Sequence, residues 1–113
     1  MKRYFEGFNT VKDVIDEFGA PSADVTDKEI LFAYYGYGSY CGIAEVLFQR
    51  NGKLYEVRAS HCSCYGLEGR WYPDEVTWDQ LAMRPDHGTY FESDREGAEE
   101  TFKKLIRKHV PRA

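Results

Sequence analysis

The feature that most constrains the fold is the dipeptide Asn51-Gly52, which separates two segments rich in β-branched and aromatic residues. Asparagine and glycine both tolerate positive φ, which the two central positions of a type I′ turn require. A turn of two residues also determines the register of the strands that it joins. The sequence therefore predicts an antiparallel hairpin over residues 43–60, with Arg50 opposite Lys53 and each further pair found by counting outwards.

This register divides the hairpin into two surfaces. One surface carries only apolar pairs, which are Phe48 with Tyr55, Val46 with Val57, and Ala44 with Ala59. The other surface is mixed, and it places Glu45 directly opposite Arg58. An opposite-charge pair in this position contributes about 0.2–1 kcal/mol. A register slip of one residue would turn the apolar surface towards water, so the pattern and the turn support the same pairing.

Three segments are predicted to be helices. Residues 10–18 place apolar side chains at the i, i+3, i+4 and i+7 positions of one helical stripe. The sequence Thr-Trp-Asp-Gln at 77–80 has the form of a capping box and predicts a short helix over 78–84. A second capping box at 93–96 is predicted to open the longest helix, over about 94–109.

The remaining segments suggest a third strand and loops. Residues 29–37, EILFAYYGY, are rich in β-forming residues and are predicted to pair with 43–50. Residues 61–76 are expected to form a loop over one edge of the sheet, and a short strand is expected at 89–92. Together these elements predict an α+β fold, in which a small antiparallel sheet of three or more strands carries the N-terminal, middle and C-terminal helices on one face.

Composition limits the class of protein. A chain of 113 residues with 42% apolar and 30% charged residues is expected to form a single globular domain. The net charge of −4 argues against direct nucleic-acid binding. No apolar run reaches the roughly 18–20 residues of a membrane span, and no signal peptide is recognisable. Three cysteines, an odd number, fit a reducing compartment, so a cytoplasmic location is expected.

The segment that suggests chemistry is His-Cys-Ser-Cys at 61–64. The hairpin register, extended outwards, brings Cys41 beside Cys62, and Cys64 shares a strand face with Cys62. Three thiolates with His61 or His87 would suit zinc, although His61 is expected on the opposite face. The simpler interpretation is that these are reduced cysteines that pack as small hydrophobic groups, and a further alternative is one reactive thiol with a nearby base. The sequence leaves these interpretations open.

Aromatic residues concentrate in and around two loops that adjoin the hairpin. Tyrosine and tryptophan are enriched among the residues that dominate protein interfaces. We therefore predict a partner-binding surface that is formed by Tyr35, Tyr37, Tyr40, Tyr65 and Trp71. The alternative is that these rings belong to the core of the domain.

Residues 52–57, GKLYEV, followed by SHCSCYGLEG at 60–69 and by Trp71, resemble a motif of small uncharacterised proteins of bacteriophages and prophages. The similarity covers about residues 40–80. It implies a small accessory protein that binds and modulates a host protein, for example as an inhibitor of a defence system, in the bacterial cytoplasm. The alternative is a small metal- or thiol-dependent enzyme that uses the His-Cys-Ser-Cys segment. Self-association through an exposed strand edge is also compatible with the sequence.

Overall fold

A computed structural model of the chain describes residues 2–21, 24–36, 41–62, 66–84 and 96–111. Within these ranges, five strands form one sheet in the order in which they occur in the sequence. They are β1 (Tyr4–Glu6), β2 (Ile30–Tyr35), β3 (Cys41–Arg50), β4 (Lys53–Cys62) and β5 (Asp74–Val76). The helices are α1 (Val11–Phe18), α2 (Trp78–Ala82) and α3 (Ala98–His109), with a short 3-10 turn at Asp27–Glu29. The fold is α+β, as the sequence predicts.

The hairpin of β3 and β4 closes on two residues with left-handed backbone. Asn51 has a φ of 54° and Gly52 a φ of 77°, which are the values that a type I′ turn needs. The paired positions run from Arg50 opposite Lys53 to Cys41 opposite Cys62. This register agrees pair by pair with the one that the two-residue turn predicts.

The sheet is mixed, so the prediction of an antiparallel sheet is wrong at one edge. β1 runs parallel to β2, with Tyr4 paired to Ala33 and Glu6 paired to Tyr35. The other three pairs of neighbouring strands are antiparallel. A parallel partner requires a crossover connection, and the segment that contains α1 supplies it. A strand of three residues has too few positions to show a period of two, which is why the sequence pattern did not reveal β1.

The predicted loop at 61–76 also contains strand residues. β4 continues to Cys62, and β5 pairs antiparallel with Leu54–Glu56 at the second edge of the sheet. Pro73 directly precedes β5, a position that an edge strand tolerates because no ladder hydrogen bond is lost there. The strand expected at 89–92 lies outside the described residues.

Helices cover both faces of the sheet, whereas the sequence analysis expected them on one. α1 buries Phe18 against the face that carries Val46, which we call the α1 face. α3 buries Phe102 against the opposite face, which carries Leu47 and which we call the α3 face. The mixed surface of the hairpin still contains Leu47 and Leu54, and these large apolar side chains leave water only when a second layer of helices covers them.

The helix ends follow local capping chemistry where the structure describes them. The hydroxyl of Thr10 accepts a hydrogen bond from the backbone N–H of Asp13, at 3.3 Å, and begins α1. Thr77 and Gln80 form the capping box that begins α2. α3 begins later than predicted, at Ala98, and residues 93–95 of its predicted capping box lie outside the described ranges. No helix in the described part of the chain has the length and apolar character to cross a bilayer.

Candidate functional site

The described ranges include only part of the sites predicted from the sequence. Tyr35, His61 and Trp71 are described in full, whereas Cys41 and Cys62 are described only for their strand pairing. Four predicted site residues lie outside the described part of the chain, namely Tyr37, Tyr40, Cys64 and Tyr65.

Cys41 and Cys62 occupy opposite positions at the end of the hairpin farthest from the turn. In a two-residue hairpin the closing pair is hydrogen bonded and the pairs alternate, so this pair is of the non-hydrogen-bonded type, with Cα atoms typically about 4.5 Å apart. The alternation of the strands places both cysteine positions on the α3 face and His61 on the α1 face. Among the side chains that the structure describes, no three His, Cys, Asp or Glu groups converge as metal ligands would.

His61 packs at the same end of the sheet against Tyr35. The two rings are stacked, with centroids 4.2 Å apart and planes 20° from parallel. Phe8 packs edge-on against Tyr35, with centroids 5.3 Å apart. His61 is only 7% exposed, and its Nε2 atom is buried without a hydrogen-bond partner in the described part of the chain. Tyr35 is therefore half-buried between two other rings, which leaves part of its surface for a partner.

Gly42 creates the space that the imidazole occupies. A Cβ atom at this position would lie 2.9 Å from Nε2 of His61 and would overlap the carbonyl oxygen of Gly36. Gly42 is also the residue opposite His61 in the ladder. Close approach of the backbone and the imidazole, rather than an unusual φ, is the reason why glycine is needed here.

Three aromatic side chains form a row on the α1 face, nearer to the hairpin turn. Phe48 stacks on Tyr55 with centroids 5.3 Å apart, and on Trp71 with centroids 5.7 Å apart. The planes deviate from parallel by 23° and 13°. Phe18 of α1 packs edge-on against Trp71 at 5.3 Å. Such ring pairs contribute about 0.5–1.5 kcal/mol each beyond the burial of their surface, so this row is held rigidly.

A cleft of about 180 Å³ opens beside this row. We call it the aromatic cleft, and it is lined by Asp24, Phe48, Arg50, Tyr55, Trp71 and Pro73. Of these residues, only Trp71 was predicted from the sequence to belong to a binding surface. The hairpin register places Phe48 opposite Tyr55. Trp71 and Asp24 come from distant segments of the chain, and no local sequence pattern indicates that they lie beside this pair.

The α3 face contains a buried group of charges. Glu45 is 1% exposed, and neither of its side-chain oxygens makes a hydrogen bond of good geometry within the described residues. The Nε atom of Arg58 lies 3.6 Å from Glu45. Glu56 accepts two hydrogen bonds from the guanidinium of Arg84, at 2.5 and 2.6 Å. The sequence analysis predicted Glu45 and Arg58 as a ladder pair but not that the glutamate would be buried.

The surroundings shift the pKa values of the two glutamates in opposite directions. Burial, and then the neighbouring carboxyl of Glu56, raise the pKa of Glu45 well above its ordinary value of 4.5. Burial is the largest influence on Glu56 and opposes its ionisation. The hydrogen bonds from Arg84, the neighbouring carboxyl of Glu45 and the charges of the arginines together outweigh burial and lower the pKa of Glu56. The protein therefore favours the protonated form of Glu45 and the ionised form of Glu56, which is the partner of Arg84.

A second cavity, of about 390 Å³, lies on the other side of the molecule between β5 and the end of α3. Trp78 and His109 border it and stack on each other, with centroids 3.9 Å apart and planes 5° from parallel. The Nδ1 atom of His109 lies 3.0 Å from the carbonyl oxygen of Leu105. The two tryptophans of the chain thus lie in separate surroundings on either side of the sheet.

Comparison of the chain with protein-family models, with curated proteins and with solved structures finds no match. The arrangements that the chain itself offers are the aromatic cleft and the pair of cysteine positions. The cleft presents the half-buried rings of Tyr55 and Trp71 to solvent, which suits recognition. The cysteine positions suit thiol or metal chemistry.

Proposed function

We propose that the protein is a small accessory protein of phage or prophage type that binds a bacterial host protein and modulates it, for example as an inhibitor of a defence system. The phage context comes from the motif over residues 52–71. The binding function is supported above all by the aromatic cleft. The rings of Tyr55 and Trp71 are fixed by stacking on the buried Phe48 and are themselves half-buried, so part of each is left for a partner. Rigid aromatic residues of this kind dominate the affinity of protein interfaces.

The contact surface is proposed to extend beyond the cleft. Tyr72, which adjoins the cleft residues Trp71 and Pro73 in the chain, is 73% exposed. Tyr35 lies on the same face as the cleft and pairs with Ala44, four ladder positions from Phe48, which corresponds to roughly 13 Å. A surface of this length fits within one side of a protein interface of standard size. Tyr37, Tyr40 and Tyr65 remain part of the proposed surface on the strength of their residue type.

The experiment is affinity capture of the partner from a lysate of the bacterial host, with identification of the captured protein by mass spectrometry. Trp71→Ala is compared with Trp78→Ala, because both changes remove a partly buried indole but from opposite faces. Trp71→Ala is expected to lose the partner, and Trp78→Ala to retain it.

Stability must be measured for both variants, since removal of a packed tryptophan costs about 3–5 kcal/mol. Trp71→Phe retains most of the packing and replaces Trp71→Ala in the capture experiment if that variant does not fold. Retention of the partner by a folded Trp71 variant, or equal loss in both tryptophan variants, would count against binding through the cleft.

A second candidate function is a small metal- or thiol-dependent enzyme, and the pairing of Cys41 with Cys62 favours it. Zinc is the metal that thiolate ligands would select, with Cys64 as the third cysteine. His61 is a poor fourth ligand, because its ring packs on Tyr35 on the face opposite to the cysteine positions. No general base is identified beside these positions within the described residues, so binding is the better-supported proposal.

Self-association through a strand edge is a weaker proposal, because the exposed edges are short. The two edge strands, β1 and β5, have three residues each. Short edges offer few unpaired backbone groups for pairing with a second copy.

A further inference from the structure

We infer that the aromatic cleft accepts the guanidinium group of an arginine that the partner protein presents. This inference rests on the proposed binding function and specifies the chemistry that the cleft recognises. It is carried by the size of the cleft, by the carboxylate of Asp24, which is unpaired within the described part of the chain, and by the partly exposed rings of Tyr55 and Trp71.

The size of the cleft indicates a single side chain as the occupant. Its volume of about 180 Å³ is below the range of roughly 300–1,000 Å³ that is typical of pockets for drug-sized ligands and cofactors. The cleft is open on one side rather than enclosed. A protein segment that inserts one side chain while the rest of its surface lies on the rim fits this shape.

The charges at the cleft select a cation. Two charged residues line it, Arg50 and Asp24. Arg50 is already paired, since its Nε atom lies 2.7 Å from a carboxylate oxygen of Glu29. Asp24 makes no side-chain hydrogen bond or ion pair in the structure as described, although its backbone N–H is held by the carbonyl of Pro21 at 3.0 Å. The positioned but unpaired charge is therefore the carboxylate of Asp24.

The aromatic row favours a guanidinium among cations. The faces of Trp and Tyr attract a cation by about 0.5–1 kcal/mol at exposed sites, and arginine is the residue found there most often. A guanidinium is planar and weakly hydrated, so it can lie flat against a ring while it donates to a carboxylate. The half-buried rings of Tyr55 and Trp71, which both stack on the buried Phe48, provide such a surface. The net charge of −4 also favours the approach of a basic partner surface.

The test is a titration of the ¹⁵N-labelled protein with Nα-acetyl-arginine amide at millimolar concentration. The chain has two tryptophans, whose indole N–H resonances report on opposite faces. The indole N–H of Trp71 is buried and has no hydrogen-bond partner in the described part of the chain, so its resonance is a local reporter. We expect a saturable shift of the Trp71 resonance and an unchanged Trp78 resonance.

Two controls make the result specific. Nα-acetyl-citrulline amide has nearly the same shape without the charge and is expected to leave Trp71 unshifted. Asp24→Asn is expected to lower the affinity for the arginine probe by about fivefold, as the loss of one exposed ion pair would. Asp79→Asn, a matched change beside the other cavity, is expected to have no effect.

The inference is overturned if both tryptophan resonances shift alike, if citrulline amide acts like arginine amide, or if Asp24→Asn binds the probe as well as the wild type does. These outcomes are separate from failure of the proposed function. Suppose that a host protein is lost on Trp71→Ala but is captured equally well by Asp24→Asn and the wild type. The binding function would then stand, and recognition of an arginine would be rejected. If no captured protein depends on Trp71, the proposed binding function is rejected. The titration would still test whether the cleft binds a guanidinium.

Discussion

The imidazole of His61 lies stacked on the ring of Tyr35, with centroids 4.2 Å apart, and Gly42 leaves the space that the imidazole fills. The three residues come from the adjacent strands β4, β2 and β3. Each position therefore depends on the other two. This packing lies at the end of the sheet where β4 ends at Cys62.

Replacement of Gly42 by alanine tests this dependence. The new Cβ would lie 2.9 Å from Nε2 of His61 and would overlap the backbone oxygen of Gly36. Gly42→Ala is expected to lower the free energy of unfolding by about 1–3 kcal/mol, the usual cost of overpacking, and to shift the ring resonances of His61. Denaturant titration and NMR spectra would measure the two effects. Gly66→Ala is the matched control, because a Cβ at Gly66 meets no atom within 4 Å; equal stability of the two variants would contradict the prediction.

Replacement of Glu45 by glutamine is expected to stabilise the protein at neutral pH. The pKa of Glu45 is raised in the folded state, so above pH 4.5 the folded state binds more protons at this site than the unfolded state does. Stability contributed by this group therefore falls as the pH rises above about 4.5. Glu45→Gln removes that decline, because an amide cannot ionise, and should be more stable than the wild type at pH 7 by roughly 1–3 kcal/mol, the scale of the cost of burying a polar group without compensation.

Unfolding curves for Glu45→Gln and the wild type between pH 4 and pH 8 would measure this difference. The advantage of the variant should shrink as the pH approaches 4.5. A variant that is less stable than the wild type at pH 7 would mean that Glu45 is ionised there and is stabilised by Arg58.

The ion pair of Glu56 and Arg84 is expected to show the opposite pH dependence. The pKa of Glu56 is lowered in the folded state, so its contribution is present above pH 4.5 and is lost as the pH falls below that value. Glu56→Gln should therefore be less stable than the wild type at pH 7, by about 1.5–3 kcal/mol for a charged hydrogen bond, and the difference should diminish in acid. A double-mutant cycle with Arg84→Met would isolate the coupling between the two residues. A coupling near zero at pH 7 would show that the hydrogen bonds of 2.5 and 2.6 Å contribute nothing net to stability.

The state of the three cysteines distinguishes the two candidate functions. If the protein acts by binding alone, thiol titration of the purified protein should find three thiols that react slowly at neutral pH, and metal analysis should find no stoichiometric zinc. One fast thiol would support thiol chemistry instead, and one equivalent of zinc that is released only on denaturation would support a structural metal. In the zinc case His61→Asn should leave the metal content unchanged, because His61 lies on the opposite face.

The candidate sites could be predicted only in part. The residue types in the sequence suggested Tyr35, Trp71 and the cysteines, and the register alone placed Cys41 opposite Cys62. Nothing local indicated that Asp24 would border a cleft with Trp71, since 46 intervening residues separate them. Such a site depends on contacts between distant segments, which no single window of sequence encodes.

The sequence by itself determined the hairpin and the start of α2, because a two-residue turn and a capping box act through the backbone of a few neighbouring residues. Tertiary structure decided the parallel pairing of β1, the addition of β5 and the helices on both faces, because short strands take their partners from whatever edge the packed core leaves open. It also decided the raised pKa of Glu45, although the ladder brings Arg58 to within 3.6 Å of this carboxyl. Removal of water by the second helical layer, which lies far away in the chain, is what makes its charge costly.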